Sequence, residues 1–194
     1  MKRVILSSFG LLLLMLISGC GYNTMQAQEE AVIAAWANVE STYQRRYDLI
    51  PNLVEVVKGY AVHEAETLKA VTEARAKVGS MQISRNAVSD AAALTAFQQG
   101  QGELSAALSR LVVVAEKYPN LKANQNFLDL QKQLEGSENR IAVARERYNK
   151  AVQTFNTSIR SFPNSLTNSL LLHLQRKEPF KTEAGAGTAP KTTF

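Results

Sequence analysis

The chain has 194 residues, a formal charge of +5 and a single cysteine, Cys20. One cysteine excludes an internal disulfide framework, so the fold must hold itself together by packing, and the length suits one domain with a sizeable core. Without Lys2 and Arg3, 20 basic side chains face 17 acidic ones, a balance too weak and too dispersed to predict a nucleic-acid partner.

The N-terminus reads Lys2-Arg3, an apolar run from Val4 to Ile17, then Ser18-Gly19-Cys20. Cations, a leucine-rich centre and a small-residue exit describe a signal peptide. Ile17-Ser18-Gly19-Cys20 resembles the lipobox of bacterial lipoproteins, in which the thiol is acylated and becomes the mature N-terminus. The run of 14 residues is short against the roughly 20 that a spanning helix needs. Acyl chains on Cys20 would anchor the chain stably. The alternative is an uncleaved N-terminal anchor with an idle thiol, and either way the bulk is expected outside the cytoplasm, on a membrane. Gly21, where an Asp would signal retention, points to an outer membrane facing the periplasm in an enteric-type envelope.

Residues 20–163 are expected to form one helical bundle. In its first part Val32, Trp36, Val39, Tyr43, Tyr47, Ile50, Val54, Val57, Ala61 and Leu68 keep a three-or-four spacing that survives Pro51. One kinked helix fits this phase, with the hydrogen bond to the Tyr47 carbonyl lost. A fresh helix capped by Asp48, with Pro51 in its first turn, also fits. Residues 79–89 read as a loop, with Ser89 a candidate N-cap. Phe97, Leu104, Leu111 and Tyr118 then form a heptad row beside Leu94, Leu108 and Ala115, interrupted by Gly100 and Gly102, where a kink or a close approach is expected. Pro119 ends that helix. In the last long helix Phe127, Leu134, Ile141, Tyr148, Phe155 and Phe162 recur every seven residues, with Leu130, Ser137, Ala144, Ala151 and Ser158 on an adjacent, mostly small rail. The short connection at Pro119 predicts that the last two helices are antiparallel. Residues 164–180 read as a short apolar or amphipathic segment and 181–194 as a disordered tail. The predicted fold class is all-α: an elongated, antiparallel, four-helix-like bundle with a long kinked first helix.

Four spaced blocks carry a resemblance. Arg45-Arg46-Tyr47-Asp48-Leu49-Ile50-Pro51-Asn52-Leu53-Val54, followed by Lys58-Gly59-Tyr60, His63-Glu64 and Glu73-Ala74-Arg75, is similar to the signature of the LemA family of bacterial envelope proteins. Tyr118-Pro119-Asn120-Leu121-Lys122-Ala123-Asn124 and Glu138-Asn139-Arg140-Ile141-Ala142, with Tyr148-Asn149 and Phe162-Pro163, resemble further blocks of the same family. The resemblance implies a long-helix bundle held at a membrane by its N-terminal segment; it supplies no reaction. A lipobox in place of a transmembrane helix, and a leucine cluster after Phe162-Pro163, depart from the commoner family pattern.

The residues argue against catalysis. His63-Glu64 is half of a zinc-protease helix, but Thr67 stands where the second histidine would be, and His173 is the only other histidine. No Glu-x-x-His, Gly-x-Ser-x-Gly, Walker or Rossmann pattern occurs, so neither a metal nor a cofactor is expected. A polar cluster remains: Arg46 leans inward between Tyr43 and Ile50, Asp48, Pro51 and Asn52 flank it, and Glu138 and Arg140 are placed to complete a polar layer. Such a layer either fixes helix register or forms a ligand or partner site. The leucines 166–174, followed by Arg176, Lys177 and Lys181, have three readings: a bundle cap, a membrane-surface segment, or a partner site. The expected function is a non-catalytic scaffold or adaptor for other envelope proteins, tethered to lipid through Cys20, with an envelope partner or self-association. The alternative is a small-molecule or lipid-binding bundle.

Overall fold

The computed structural model describes residues 2–61, 63–81 and 88–181, with side chains from Gly21 onward. The expected acylation at Cys20 and the expected loose tail beyond Lys181 lie outside the described residues. The elements are α1 (Lys2–Tyr60), α2 (Ala65–Ser80), α3 (Ala91–Ala115), α4 (Pro119–Lys122), α5 (Gln125–Ser158) and α6 (Asn164–Thr167), followed by a π-turn, Asn168–Leu172.

Helix α1 passes through Pro51 unbroken, so the fresh helix capped by Asp48 is not what forms. The carbonyl that Pro51 leaves without its usual donor belongs to Tyr47, and Arg75 of α2 reaches it: its Nε lies 3.4 Å from Tyr47 O, with the guanidinium 3.9 Å from the Tyr47 ring centroid. The chain turns at Ala61–Glu64 instead. Leu68 therefore belongs to α2, although it enters the same core as Ile50 and Val57. The N-cap of α3 is Asp90, one residue beyond the expected Ser89; its carboxylate accepts from the backbone N–H groups of Ala92 and Ala93.

The four longer helices run up, down, up and down. Trp36 of α1 meets Phe97 of α3 and Tyr148 of α5 near one end, while Val57, Leu111 and Phe127 share a core near the other. The small rail of α5 faces α1, and Ser137 and Ala144 are buried there. Small side chains let two helix backbones approach closely, and α1–α5 is the most extensive helix pairing, with α2–α3 the second. The heptad row of α5 is buried from Phe127 to Phe155, but Phe162 is 79% exposed. The helix ends at Ser158, before the row reaches Phe162. Gly100 is a close approach, since a Cβ there would stand 2.7 Å from Met81, whereas Gly102 meets open space.

The segment after α6 packs back on the bundle. Residues 174–181 do not stand apart from the bundle; they lie extended across α5 and α3, and Phe180 is buried on Trp36, 5.8 Å between ring centroids and nearly parallel. Side-chain amides hold the backbone of this strap. Asn168 bonds both the N–H and the C=O of Leu174, Asn156 those of Lys177, and Asn149 those of Phe180, all at 2.7–3.1 Å. Gln98 of α3 donates to Lys181 O at 3.0 Å, as does Arg145 of α5 at 3.2 Å. Lys177 forms a part-buried ion pair with Glu29, 2.8 Å. Extended backbone packed on helices without a sheet partner finds donors and acceptors elsewhere, and these amides supply both.

Tyr148 ties the strap to the aromatic core, its hydroxyl donating to Glu178 O at 2.8 Å. Burial, with the Glu178 carboxylate as a smaller contributor, pushes its pKa well above the ordinary tyrosine value of 10.0. The folded state thus retains a proton that the unfolded chain loses above pH 10, so the contribution is intact below pH 10 and declines as pH rises further. Denaturant unfolding at pH 8 and pH 11 is expected to show a loss that Tyr148→Phe reduces; an equal alkaline loss in both proteins would sink this assignment.

Candidate functional site

The polar layer is built on Arg46. Its position in the apolar phase of α1 carries it into the bundle, and only 1% of the residue is exposed. The guanidinium donates to Ser105 Oγ at 2.8 Å, to Gln101 Oε1 and to the carboxylate of Glu138, and it lies over the Tyr43 ring. One side chain therefore joins α1, α3 and α5. Of the residues expected to form this layer, Arg46 and Glu138 meet. Asp48, Pro51 and Asn52 are exposed on α1, where Asp48 accepts from Gln44 at 2.8 Å. Arg140 is exposed too, beside a different hollow between α1 and α5 that Ala31 and Asn38 also line. The reason is angular: Asp48 is about 200° and Asn52 about 240° around the helix from Arg46 at 100° per residue.

Gln101 and Ser105 were missed. Gln101 lies four residues after Phe97 and three before Leu104, so a polar residue interrupts a buried stripe, and that was the legible signal.

Above Arg46 the cleft between α3 and α5 opens into a cavity of about 480 Å³. Leu53, Leu108, Leu134 and Ile141 form apolar parts of its wall; Gln98, Ser109, Gln131, Glu135, Glu138 and Arg145 supply polar ones, and Gly102 leaves room at its edge. Gln98 and Arg145 are also the residues that hold Lys181 O, so the open cleft begins where the strap ends. The chemistry available is hydrogen bonding and charge pairing around a fixed cation already compensated by Glu138. The two histidines are exposed at separate places, His63 in the α1–α2 turn and His173 after the π-turn. Among the described residues no group of three or more His, Cys, Asp or Glu side chains is placed to hold a metal.

The blocks quoted from the sequence are joined in space. Glu64 accepts from the Tyr118 hydroxyl at 3.1 Å, Asn124 donates to the Tyr60 hydroxyl at 2.9 Å, Arg75 holds Tyr47, and Arg46 holds Glu138. The LemA family model matches residues 35–194, which includes every one of these contacts. The chain belongs to the LemA family. The LemA family is one of envelope proteins. Similar curated proteins include magnetosome protein MamQ 2 of Paramagnetospirillum magneticum, 28% identical over 188 aligned residues that cover 89% of this chain and 68% of the relative. MamQ of Magnetospirillum gryphiswaldense is 27% identical over the same coverage. Protein LemA of Metamycoplasma hominis is 21% identical over 140 residues, 72% of this chain and 60% of that one.

Proposed function

We propose that this LemA protein is a membrane-tethered, non-catalytic adaptor that holds an extended segment of another envelope protein in the cleft between α3 and α5. The tether is the N-terminal segment, acylated at Cys20, and the bundle faces the periplasm from the outer membrane. The observation that carries the reading is the strap. The bundle already holds one extended stretch of its own polypeptide, gripped through its backbone, and Gln98 and Arg145, which hold Lys181 O, also line the cavity over Arg46. Backbone capture by side-chain amides is indifferent to most of the captured sequence, which suits a scaffold. Arg46 and Glu138 then serve as the rigid floor of the cleft, joining the three helices that shape it.

A photo-crosslinking residue at Ser109 or Gln131, on the two walls, is expected to capture one stoichiometric envelope protein in intact cells, identified by mass spectrometry. The same residue at Val143, on α5 away from the cleft, is expected to capture none. Equal capture at all three positions, or only at Val143, would remove the cleft from the function. The cavity volume also suits a small molecule or a lipid chain. In that case the wall positions would yield a non-protein adduct.

A further inference from the structure

Four large apolar side chains crowd one end of the bundle in open contact with solvent: Phe162, Leu166, Leu170 and Leu171 are 79%, 38%, 65% and 61% exposed. A fifth, Tyr22, is 40% exposed on α1. The rest of this end is well ordered by its own contacts. Thr167 is buried, Asn168 holds Leu174, and Leu172 and Leu174 pack on the core. The outward leucines are thus presented by a fixed scaffold of α6 and the π-turn, with the inward positions of the same segment filled. Several large apolar side chains exposed within one short segment mark a candidate interaction site.

What covers it is indicated by where it sits. Helix α6 packs on α1 at Gly21, where the Asn164 side chain occupies the place a Cβ would need. Gly21 directly follows Cys20 and the apolar run Val4–Ile17, and α1 continues back through that run as helix. Cleaved and acylated, the chain enters lipid through the acyl chains on Cys20; retained whole, it enters through this run; in both cases the exposed cluster stands beside the point of entry. Arg160 and Arg176, both exposed, line one hollow on the adjoining face. Apolar side chains flanked by cations match the boundary between acyl chains and anionic head groups. Among the described residues no helix is long and apolar enough to cross a membrane, and this segment needs only to lie on one.

We infer that Phe162, Leu166, Leu170 and Leu171, with Tyr22, form a second membrane contact, seated in the interfacial layer of an anionic bilayer, which fixes the bundle end-on to the surface. The inference rests on the tethered reading above. It gives that tether an orientation: α1 rises from the lipid, and the α4 end, with Tyr60 and Tyr118, is the part farthest from it.

The test uses the acylated chain, in which the sulfur of Cys20 carries lipid and an introduced cysteine is the only free thiol, reconstituted with phosphatidylcholine–phosphatidylglycerol vesicles. An environment-sensitive fluorophore is attached at Leu170→Cys or at Val113→Cys. Val113 is a matched control, 64% exposed but on α3 near its far end. The expected result is a blue-shifted emission and several-fold stronger quenching by bromine-labelled acyl chains at position 170 than at 113, weakened when phosphatidylglycerol is omitted. Vesicle-bound protein with position 170 unquenched would overturn the contact while leaving the tether standing. Equal quenching at both positions would mean a molecule lying flat, and overturns the end-on arrangement. Failure to associate with vesicles at all overturns tether and contact together.

Discussion

Replacing Trp36 with alanine is expected to cost about 3–5 kcal/mol and to lower the melting temperature by about 10 °C. Trp36 is 1% exposed and touches an aromatic partner from each of three other elements: Phe97 of α3 edge-on at 6.2 Å, Tyr148 of α5 at 5.3 Å, and Phe180 of the strap at 5.8 Å. Truncation leaves a cavity that these rings cannot jointly fill, because each is pinned elsewhere: Phe180 by Asn149, and Tyr148 by Glu178. Trp36→Phe is expected to lose far less. It keeps an aromatic face, and the indole Nε1 has no hydrogen-bond partner among the described residues to forfeit. Thermal unfolding followed by circular dichroism distinguishes the two. A Trp36→Ala protein that melts within a degree or two of the parent would show that the strap and α3 do not depend on this residue for their place.

The second large effect is an asymmetry. Glu138→Leu is expected to destabilise by about 3 kcal/mol, the lower end of what breaking a buried ion pair costs. The Arg46 side chain is only 2% exposed and would be left with the dipoles of Gln101 and Ser105 and the Tyr43 ring but no counter-charge, whereas Glu138 is 47% exposed. Arg46→Leu releases a carboxylate that water can reach, so its expected cost is about 1–2 kcal/mol, mostly the unmet oxygen of buried Gln101. The double variant should then be more stable than Glu138→Leu alone, a strong non-additivity for residues in one network. If Arg46→Leu proves the worse of the two, geometry and not charge holds the layer together, and Arg46 acts as a register pin for three helices.

Much of this fold could be read from apolar spacing because helices with one buried stripe announce themselves. The heptad row on α5 placed Phe127, Leu134, Ile141, Tyr148 and Phe155 in the core, and all five are there. Its sixth member shows the limit of periodicity: spacing carried the pattern to Phe162, but the helix stops at Ser158, and a side chain beyond the end obeys a different geometry. The strap was illegible for a related reason. An eight-residue extended segment has too little alternation to register as a strand, and its partners are amides on helices distant in sequence. Arg46 and Glu138 could be paired because each sits on or beside a buried stripe. Asp48, Pro51 and Asn52 were grouped with them by adjacency in sequence, which on a helix distributes residues around the axis instead of gathering them. The Arg75 contact to Tyr47 joins two of the quoted blocks, and only the folded chain reveals that the proline's cost in one is met by the arginine of the other.

The asparagines on α5 have a metrical consequence. Asn149 and Asn156 are seven residues apart and hold Phe180 and Lys177, which are three apart. Two turns of α-helix advance about 10.5 Å, and three residues of extended chain advance about 10 Å. Seven against three is therefore a near-coincidence of two rulers, and a helix carrying amides at heptad spacing can grip a β-like segment without any sheet. The same arithmetic makes the grip intolerant of slippage. Moving the strap by one residue shifts both clasps by about 3.3 Å, and an insertion between Lys177 and Phe180 would let only one of them close.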